Sequence, residues 1–267
     1  MPVLASIELE NCPLGFVFNP ANPDDSIERR FFSGWEENYG EPLDHAVSYR
    51  AWAVRDEPKT GRRVLEHSDK RDSGLIAGTD LWQDGTVEAR VRQILSSSAA
   101  GKDNEFLLVG KTGLVARQKT VRRFYHFGPV GYDDFILYRR RDEEWHELGR
   151  AGRKVDRTRY HDIRLQAKGS MLRCWVDGDL VIEVEDDAYP AGKAGLRTNT
   201  LSRIESLSVS MTDEEYAKAE KATQRHEEER KRRAATVPPL LLWREIPIDT
   251  SQVLTLLNQQ NDAPGTF

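Results

Sequence analysis

The sequence has few of the residues that build metal centres or disulfide frameworks. Among its 267 residues are two cysteines, Cys12 and Cys174, and six histidines that are scattered without ligand spacing. A zinc site is therefore not expected. Two cysteines so far apart in sequence are expected to be buried thiols rather than a disulfide.

The sequence also lacks long apolar runs and an excess of basic charge. No segment approaches the roughly 20 apolar residues of a membrane span, and the first residues lack the pattern of a signal peptide. The 39 basic and 44 acidic side chains give a formal net charge of −5. Because nonspecific nucleic-acid binding depends on excess Lys and Arg, a nucleic acid is not an expected partner. A membrane is not expected either, because the sequence lacks an apolar run long enough to span one.

Alternation of apolar and polar residues is the main pattern present. Between Thr86 and Ser210 it predicts about nine or ten short strands. Asp177-Gly178 separates two of these runs and predicts a tight hairpin turn, because glycine tolerates the positive φ that the turn needs. Helix patterns between the strands are scarce, so the sequence predicts an all-β antiparallel sandwich rather than an α/β fold.

The pattern changes near residue 211 and divides the chain into three parts. Residues 1–211 are predicted to form the sandwich. Residues 212–235 are predicted to form a charged helical linker that begins at a capping box, Thr212 and Glu215, and is rich in good helix formers. Residues 236–267 follow as a C-terminal strand, Leu240–Ile246, and a short tail.

Several strings along the first part resemble those of laminin-G-like, concanavalin A-like jelly rolls. They are LWQDGTVEAR at 81–90, GLVAR at 113–117, RFYHF at 123–127, YHDIRL at 160–165 and GKAGLR at 192–197. The resemblance spans about residues 30–211 and implies a two-sheet antiparallel jelly-roll sandwich, here with a C-terminal helix and tail. From Gly113 to Ser210 the strings look most like the accessory sandwich of rhamnogalacturonan-lyase-like proteins; the 3-keto-disaccharide hydrolase group is also similar.

This resemblance implies a noncatalytic carbohydrate-binding or accessory domain that recognises a polysaccharide on its concave sheet. A polysaccharide lyase or keto-glycoside hydrolase of the same fold is one alternative, and a structural docking domain without a sugar site is another. The implied partners are a polysaccharide and a neighbouring catalytic domain. The implied location is extracellular or periplasmic, although no signal peptide is recognised in the sequence.

Sugar binding needs flat aromatic faces for stacking and fixed polar groups for the hydroxyls. Positions out of phase with the predicted core offer both: Trp175 alternates with apolar neighbours, and Arg117 is expected to point into the groove if Leu114 and Ala116 face the core. The five residues predicted to bind the ligand are Arg117, Tyr125, Tyr138, Arg139 and Trp175.

The sequence supports catalytic residues less well than it supports ligand-binding residues. Glu183 and Glu185 share a strand face and form one candidate carboxylate pair for glycoside hydrolysis. Arg117, Tyr125 and His126 are candidates for the base of a lyase. No motif of an established nucleophile, phosphate loop or dinucleotide site appears in the sequence, and no cofactor is predicted.

A structural calcium ion is the one metal that the sequence leaves open. The acidic pairs Asp24-Asp25 and Asp186-Asp187 lie in turn-like contexts, and calcium prefers carboxylate oxygens. Solvated turn carboxylates are the alternative interpretation of both pairs.

Overall fold

The computed structural model describes residues 3–7, 9–14, 35–39, 52–57, 60–68, 72–94, 111–131 and 133–236. The chain divides into two compact units, residues 1–223 and 224–267. All the described strands lie in the first unit, in two antiparallel sheets. The predicted all-β two-sheet sandwich with a C-terminal helix is therefore confirmed.

Sheet A contains eight strands, and its hydrogen-bonded order is β13-β12-β11-β6-β15-β4-β3, with β1 paired to β15. The strands are β1 (Val3–Ile7), β3 (Trp52–Asp56), β4 (Arg63–His67), β6 (Gly85–Gln93), β11 (His161–Lys168), β12 (Met171–Val176), β13 (Asp179–Glu185) and β15 (Ser202–Ser210). The turn between β12 and β13 is the predicted hairpin, in which Asp177 and Gly178 have φ of 52° and 91°. Two successive positive φ angles match the right-handed twist of the strands that such a turn joins.

Sheet B contains seven strands in the order β10-β9-β8-β7-β14-β5-β2. They are β2 (Trp35–Tyr39), β5 (Ser73–Ala77), β7 (Thr112–Thr120), β8 (Arg123–Val130), β9 (Asp134–Arg141), β10 (Glu144–Ala151) and β14 (Lys193–Thr198).

The hydrophobic core lies between the sheets and follows the period-two alternation. In β12, Leu172, Cys174 and Val176 are fully buried, whereas the residues between them are partly exposed. Leu114 of β7 contributes to the same cluster from sheet B. Because alternate side chains point to opposite faces, each buried row places a second row on the outer face of its sheet.

The outer face of sheet B differs from the alternating prediction, because its side chains are buried as well. Ile76, Val115 and Phe124 are fully buried and form a second apolar cluster, against which Trp145 packs. Strands that are buried on both faces carry nearly continuous apolar runs rather than alternating ones.

From β6 to β15 the described residues form ten strands, which agrees in number with the nine or ten predicted between Thr86 and Ser210; five more strands, β1–β5, precede this range and were not predicted. β14 is buried on both faces, between β7 and β5, so it shows little alternation. β10 is an edge strand in which no residue is fully buried. The sequence also predicts a strand at Glu105–Val109; this segment and the predicted C-terminal strand Leu240–Ile246 lie outside the described residues.

Helix α1 (Asp213–Thr236) follows the last strand, where the sequence predicts it. The backbone N–H of Glu215 donates to Thr212 Oγ1 at 3.2 Å, which is the N-cap half of the predicted capping box. Within the described part of the chain, no helix combines the length and apolar character needed to cross a membrane.

Candidate functional site

Trp175 lies on the outer face of sheet A. Its neighbours Cys174 and Val176 are fully buried, so the alternation of β12 turns the indole away from the core. On the adjacent strand Arg164 lies directly opposite, with its guanidinium carbon 5.4 Å from the centroid of the indole ring. This cation–π contact restrains an aromatic side chain that is only half-buried.

The strand register extends this contact into a row across four strands. Arg164 of β11 lies opposite both Trp175 of β12 and Glu88 of β6, and Glu88 lies opposite Ser208 of β15. With about 4.8 Å between neighbouring strands, the row is about 15 Å long and runs perpendicular to the strands. We call Trp175, Arg164, Glu88 and Ser208 the transverse row.

An open cleft of about 640 Å³ lies over the transverse row, and we call it the transverse cleft. Carboxylates, hydroxyls, one guanidinium and one indole contribute to its wall. Its lining residues are Glu88, Ala89, Asp162, Ile163, Arg164, Trp175, Asp177, Gly178, Ser206 and Ser208.

Asp177 also lines the transverse cleft, and its carboxylate is held in place by hydrogen bonds. Its carboxylate accepts hydrogen bonds from Arg159 Nη2 at 2.8 Å, from His161 Nδ1 at 3.0 Å and from the backbone N–H of Asp162 at 3.0 Å. Burial alone would raise the pKa of Asp177, but these hydrogen bonds lower it to about 2. The carboxylate is therefore anionic at any physiological pH.

Ion pairs fix most of the remaining charges of the transverse cleft. Arg164 pairs with Glu88, and Arg90 pairs with both Glu205 and Asp162, the latter at 2.8 Å. The charges are thus compensated locally, and each guanidinium retains donors beyond those used in its pair. A wall of this kind suits hydroxyl groups, which both donate and accept hydrogen bonds.

Arg117 does not lie on an outer face. Leu114 and Ala116 face the core as expected, but the register of β7 shifts after Ala116, and Arg117 adopts a φ of 52°. This bulge reverses the direction that simple alternation gives to the side chain. The guanidinium is 3% exposed and donates to the carbonyl oxygens of Gln83 and Tyr189 and to the Asp84 carboxylate, at 2.9, 3.2 and 3.1 Å.

Tyr125 faces the interior between the sheets and is fully buried. Its hydroxyl donates to the Asp186 carboxylate at 2.5 Å and accepts from the backbone N–H of Tyr189 at 3.1 Å. Burial, together with this contact to Asp186, raises the pKa of the phenol. The ring is therefore part of the core rather than a platform open to solvent.

Tyr138 and Arg139 are neighbours on β9 and consequently point to opposite sides of sheet B. Tyr138 packs edge-on against Trp145 at 5.6 Å between ring centroids, with the Lys111 ammonium 5.0 Å from the Tyr138 ring. Arg139 points to the core side and pairs with Asp186 at 2.5 Å.

The five predicted ligand-binding residues thus do not meet at one place, and their roles in binding stay predictions. Arg164, Glu88 and Asp162, which line the cleft together with Trp175, were not predicted from the sequence. Each occupies a polar position of a clearly alternating strand, so the phase of the strand could have indicated its face. Their proximity, however, depends on strand order, which the local pattern does not specify.

The catalytic candidates are also separated. Tyr125 and His126 are consecutive on β8 and face opposite sides of sheet B, and Arg117 is enclosed by its three acceptors. Burial lowers the pKa of His126 to about 3, with the positive charge of Lys111 acting in the same direction. Glu183 forms an ion pair with Arg173 on the neighbouring strand at 2.5 Å.

In the part of the chain that the structure describes, no group of three or more His, Cys, Asp or Glu side chains could hold a metal ion. Asp186 is engaged by Tyr125 and Arg139. Asp24 and Asp25 lie outside the described residues, so the calcium hypothesis stays a prediction.

Comparison with known proteins finds similarity at the level of solved structures. No family model matches the chain, and no curated protein is similar to it in sequence. The carbohydrate-binding module CBM66 from Bacillus subtilis is similar over 67% of this chain and 96% of its own, with 15% identity and a TM-score of 0.49.

Two further solved structures extend the comparison. A GH16 protein of the Bacteroides ovatus mixed linkage glucan PUL is similar over 78% of this chain and 100% of its own, with 8% identity and a TM-score of 0.49. Domain 4 of AbnA, a GH43 extracellular arabinanase from Geobacillus stearothermophilus, is similar over 81% of this chain and 97% of its own, with 14% identity and a TM-score of 0.44. At these identities and TM-scores no activity is carried over to this chain.

Proposed function

We propose that this protein is a noncatalytic carbohydrate-binding domain and that its polysaccharide ligand lies in the transverse cleft. The observation that carries the proposal is the transverse row, in which an indole, a guanidinium, a carboxylate and a hydroxyl are aligned on four adjacent strands. A sugar ring has apolar C–H faces and a polar rim, so it needs this combination of groups at its binding site.

Three residues that line the cleft have a defined part in this proposal. Trp175 supplies apolar surface for stacking, and its half-buried position keeps the cost of ordering low. Arg164 uses its Nε to pair with Glu88, which leaves its remaining N–H groups as donors for sugar oxygens. Asp177 adds a permanently charged acceptor to the wall of the cleft.

The alignment of the row also suggests an axis for the proposed ligand. Because the row is perpendicular to the strands, a saccharide chain that contacts all four members crosses β12, β11, β6 and β15 in turn. An open cleft of this shape accepts an internal stretch of a polymer rather than only a chain end.

Binding is tested by affinity electrophoresis and glycan-array screening of the full chain with plant and microbial polysaccharides. We expect Trp175→Ala and Arg164→Gln each to weaken binding about tenfold, which corresponds to about 1.4 kcal/mol. Arg173→Gln is the matched control, because Arg173 is on the same face and pairs with a cross-strand carboxylate, Glu183, but does not line the cleft.

Equal losses in Arg164→Gln and Arg173→Gln would contradict a site in the transverse cleft. The noncatalytic part of the proposal is tested separately by incubating the protein with pectic polymers and neutral glycans. Release of an ultraviolet-absorbing unsaturated product or of new reducing ends would show a catalytic protein. In that case the alternative of a lyase or glycoside hydrolase with the same fold would replace the proposal.

A further inference from the structure

A second cleft lies at one end of the sandwich, away from the transverse row. It has a volume of about 310 Å³ and is lined by Arg123, Arg139, Arg141, Ala188 and Tyr189. We call it the arginine cleft. None of its residues lines the transverse cleft.

The strand register brings the three guanidinium-bearing residues together. Arg123 of β8 lies directly opposite Arg141 of β9, and Arg139 is two residues before Arg141 on the same face. Like charges directly opposite each other in an antiparallel pair are destabilising. The arrangement is therefore unfavourable for the sheet unless anions neutralise it.

Two of the three guanidinium groups already hold carboxylates. Arg123 binds Asp142 through two hydrogen bonds, from Nε at 2.9 Å and from Nη2 at 3.0 Å. Arg139 pairs with Asp186 at 2.5 Å. With the residues that the structure describes, Arg141 forms no ion pair or side-chain hydrogen bond, and it is exposed. The cluster therefore holds three positive charges against two negative ones.

The wall of the arginine cleft is held in place by hydrogen bonds. The Tyr189 hydroxyl donates to the carbonyl oxygen of Arg140 at 2.7 Å, and the carbonyl oxygen of Tyr189 accepts from Arg117 at 3.2 Å. The Asp186 carboxylate also accepts from the backbone N–H of Ala188 at 3.0 Å, which fixes the turn. A ligand entering the cleft consequently meets a preorganised surface and needs little ordering of the protein.

We propose that the arginine cleft binds a single carboxylate group, supplied by an acidic sugar or another small organic acid. A singly charged anion balances the excess positive charge, and the planar fork of a guanidinium matches a carboxylate, as Arg123 and Asp142 already show. Arg141 supplies the free fork, and Arg139 supplies N–H groups beyond the one used for Asp186. The proposal does not depend on sugar binding in the transverse cleft.

Isothermal titration calorimetry of the full chain at low ionic strength tests this site with three probes: D-galacturonate, acetate and sulfate. We expect the carboxylate probes to bind the unaltered protein and Arg141→Gln to weaken that binding about tenfold. Arg122→Gln is the matched control, since Arg122 lies at the same end of β8 and pairs with Glu143 outside the cleft. It should leave the dissociation constant within about twofold.

A thermal-unfolding measurement separates binding from misfolding. Because Arg141 is exposed and faces a like charge, Arg141→Gln should keep or raise the midpoint temperature. Binding of galacturonate without acetate identifies a sugar acid, and binding of both identifies a general carboxylate site. Binding of sulfate alone, binding of no probe, or equal losses in the two variants would overturn the proposal. Trp175→Ala leaves these affinities unchanged if the two clefts are independent.

Discussion

Arg117 shows how a single backbone torsion decides the role of a side chain. Alternation places it with Val115 on the outer face of sheet B, but the positive φ at this residue turns the guanidinium to three protein acceptors instead. The sequence could not indicate this, because arginine has no particular preference for a positive φ. Trp175 lies on regular strand, so alternation was sufficient to orient it.

His126 is expected to make stability depend on pH. Its pKa is about 3 in the folded protein, against about 6.5 in the unfolded chain, so below pH 6.5 the unfolded state binds a proton that the folded state does not. The free energy of unfolding should therefore decrease as the pH falls from 6.5 towards 3. Relative to His126→Gln, the unaltered protein should lose about 2 kcal/mol between pH 7 and pH 5.

Urea unfolding at several pH values measures this difference. His146→Gln serves as the control for loss of a histidine, because the His146 side chain on β10 is 40% exposed. A difference between the unaltered protein and His126→Gln that stays constant from pH 7 to pH 5 would show that His126 is protonated equally in the folded and unfolded states.

Among the elements, strands with one solvent-exposed face could be predicted from the sequence, whereas strands buried on both faces could not. β11 alternates between buried and exposed residues along nearly its whole length, and the sequence predicts it almost to its ends. β5 and β14 are buried on both faces and were missed, because period-two analysis needs a polar face. The transverse cleft could be predicted only in part. Alternation predicts which face of its strand each lining residue occupies, but the alignment of Glu88 with Arg164 depends on strand order and register, which local alternation does not specify.

The hairpin between β12 and β13 allows a clean test of backbone strain. Gly178 has a φ of 91°, and a Cβ atom added there meets nothing within 4 Å, so Gly178→Ala introduces only torsional strain. We expect it to lower the free energy of unfolding by about 1–2 kcal/mol, measured by urea unfolding. Gly152→Ala is the control, because Gly152 has equally open surroundings without a positive φ. Equal effects of the two substitutions would contradict the assigned turn conformation.

At the scale of the whole molecule, one core joins segments that are far apart in sequence. Cys12, which follows β1, and Cys174, in β12, are both fully buried in the same hydrophobic cluster as free thiols. Burial raises the pKa of Cys12 to about 11 and raises that of Cys174 well above its usual value. The expectation of two buried thiols is therefore confirmed.

These thiols should report global unfolding. In the folded protein at pH 8, both should react very slowly with a disulfide reagent, because they are buried and protonated. Across a urea titration, their modification should coincide with the change in tryptophan fluorescence, since exposure of either thiol requires the sandwich to open. Modification of Cys12 at a lower urea concentration than Cys174 would indicate that the first strand detaches separately.

The pairing of the first strand with the last has a consequence for how such a domain can be accommodated in other chains. Val3 lies opposite Ser210, so the points at which the polypeptide enters and leaves the sandwich are neighbours, about 5 Å apart. A domain with adjacent attachment points can be inserted into a surface loop of a host protein without a large increase in the distance between the two ends of that loop. The same adjacency suits circular permutation of the sandwich alone, with a short linker that joins Val3 to Ser210 and new ends opened in an exposed turn.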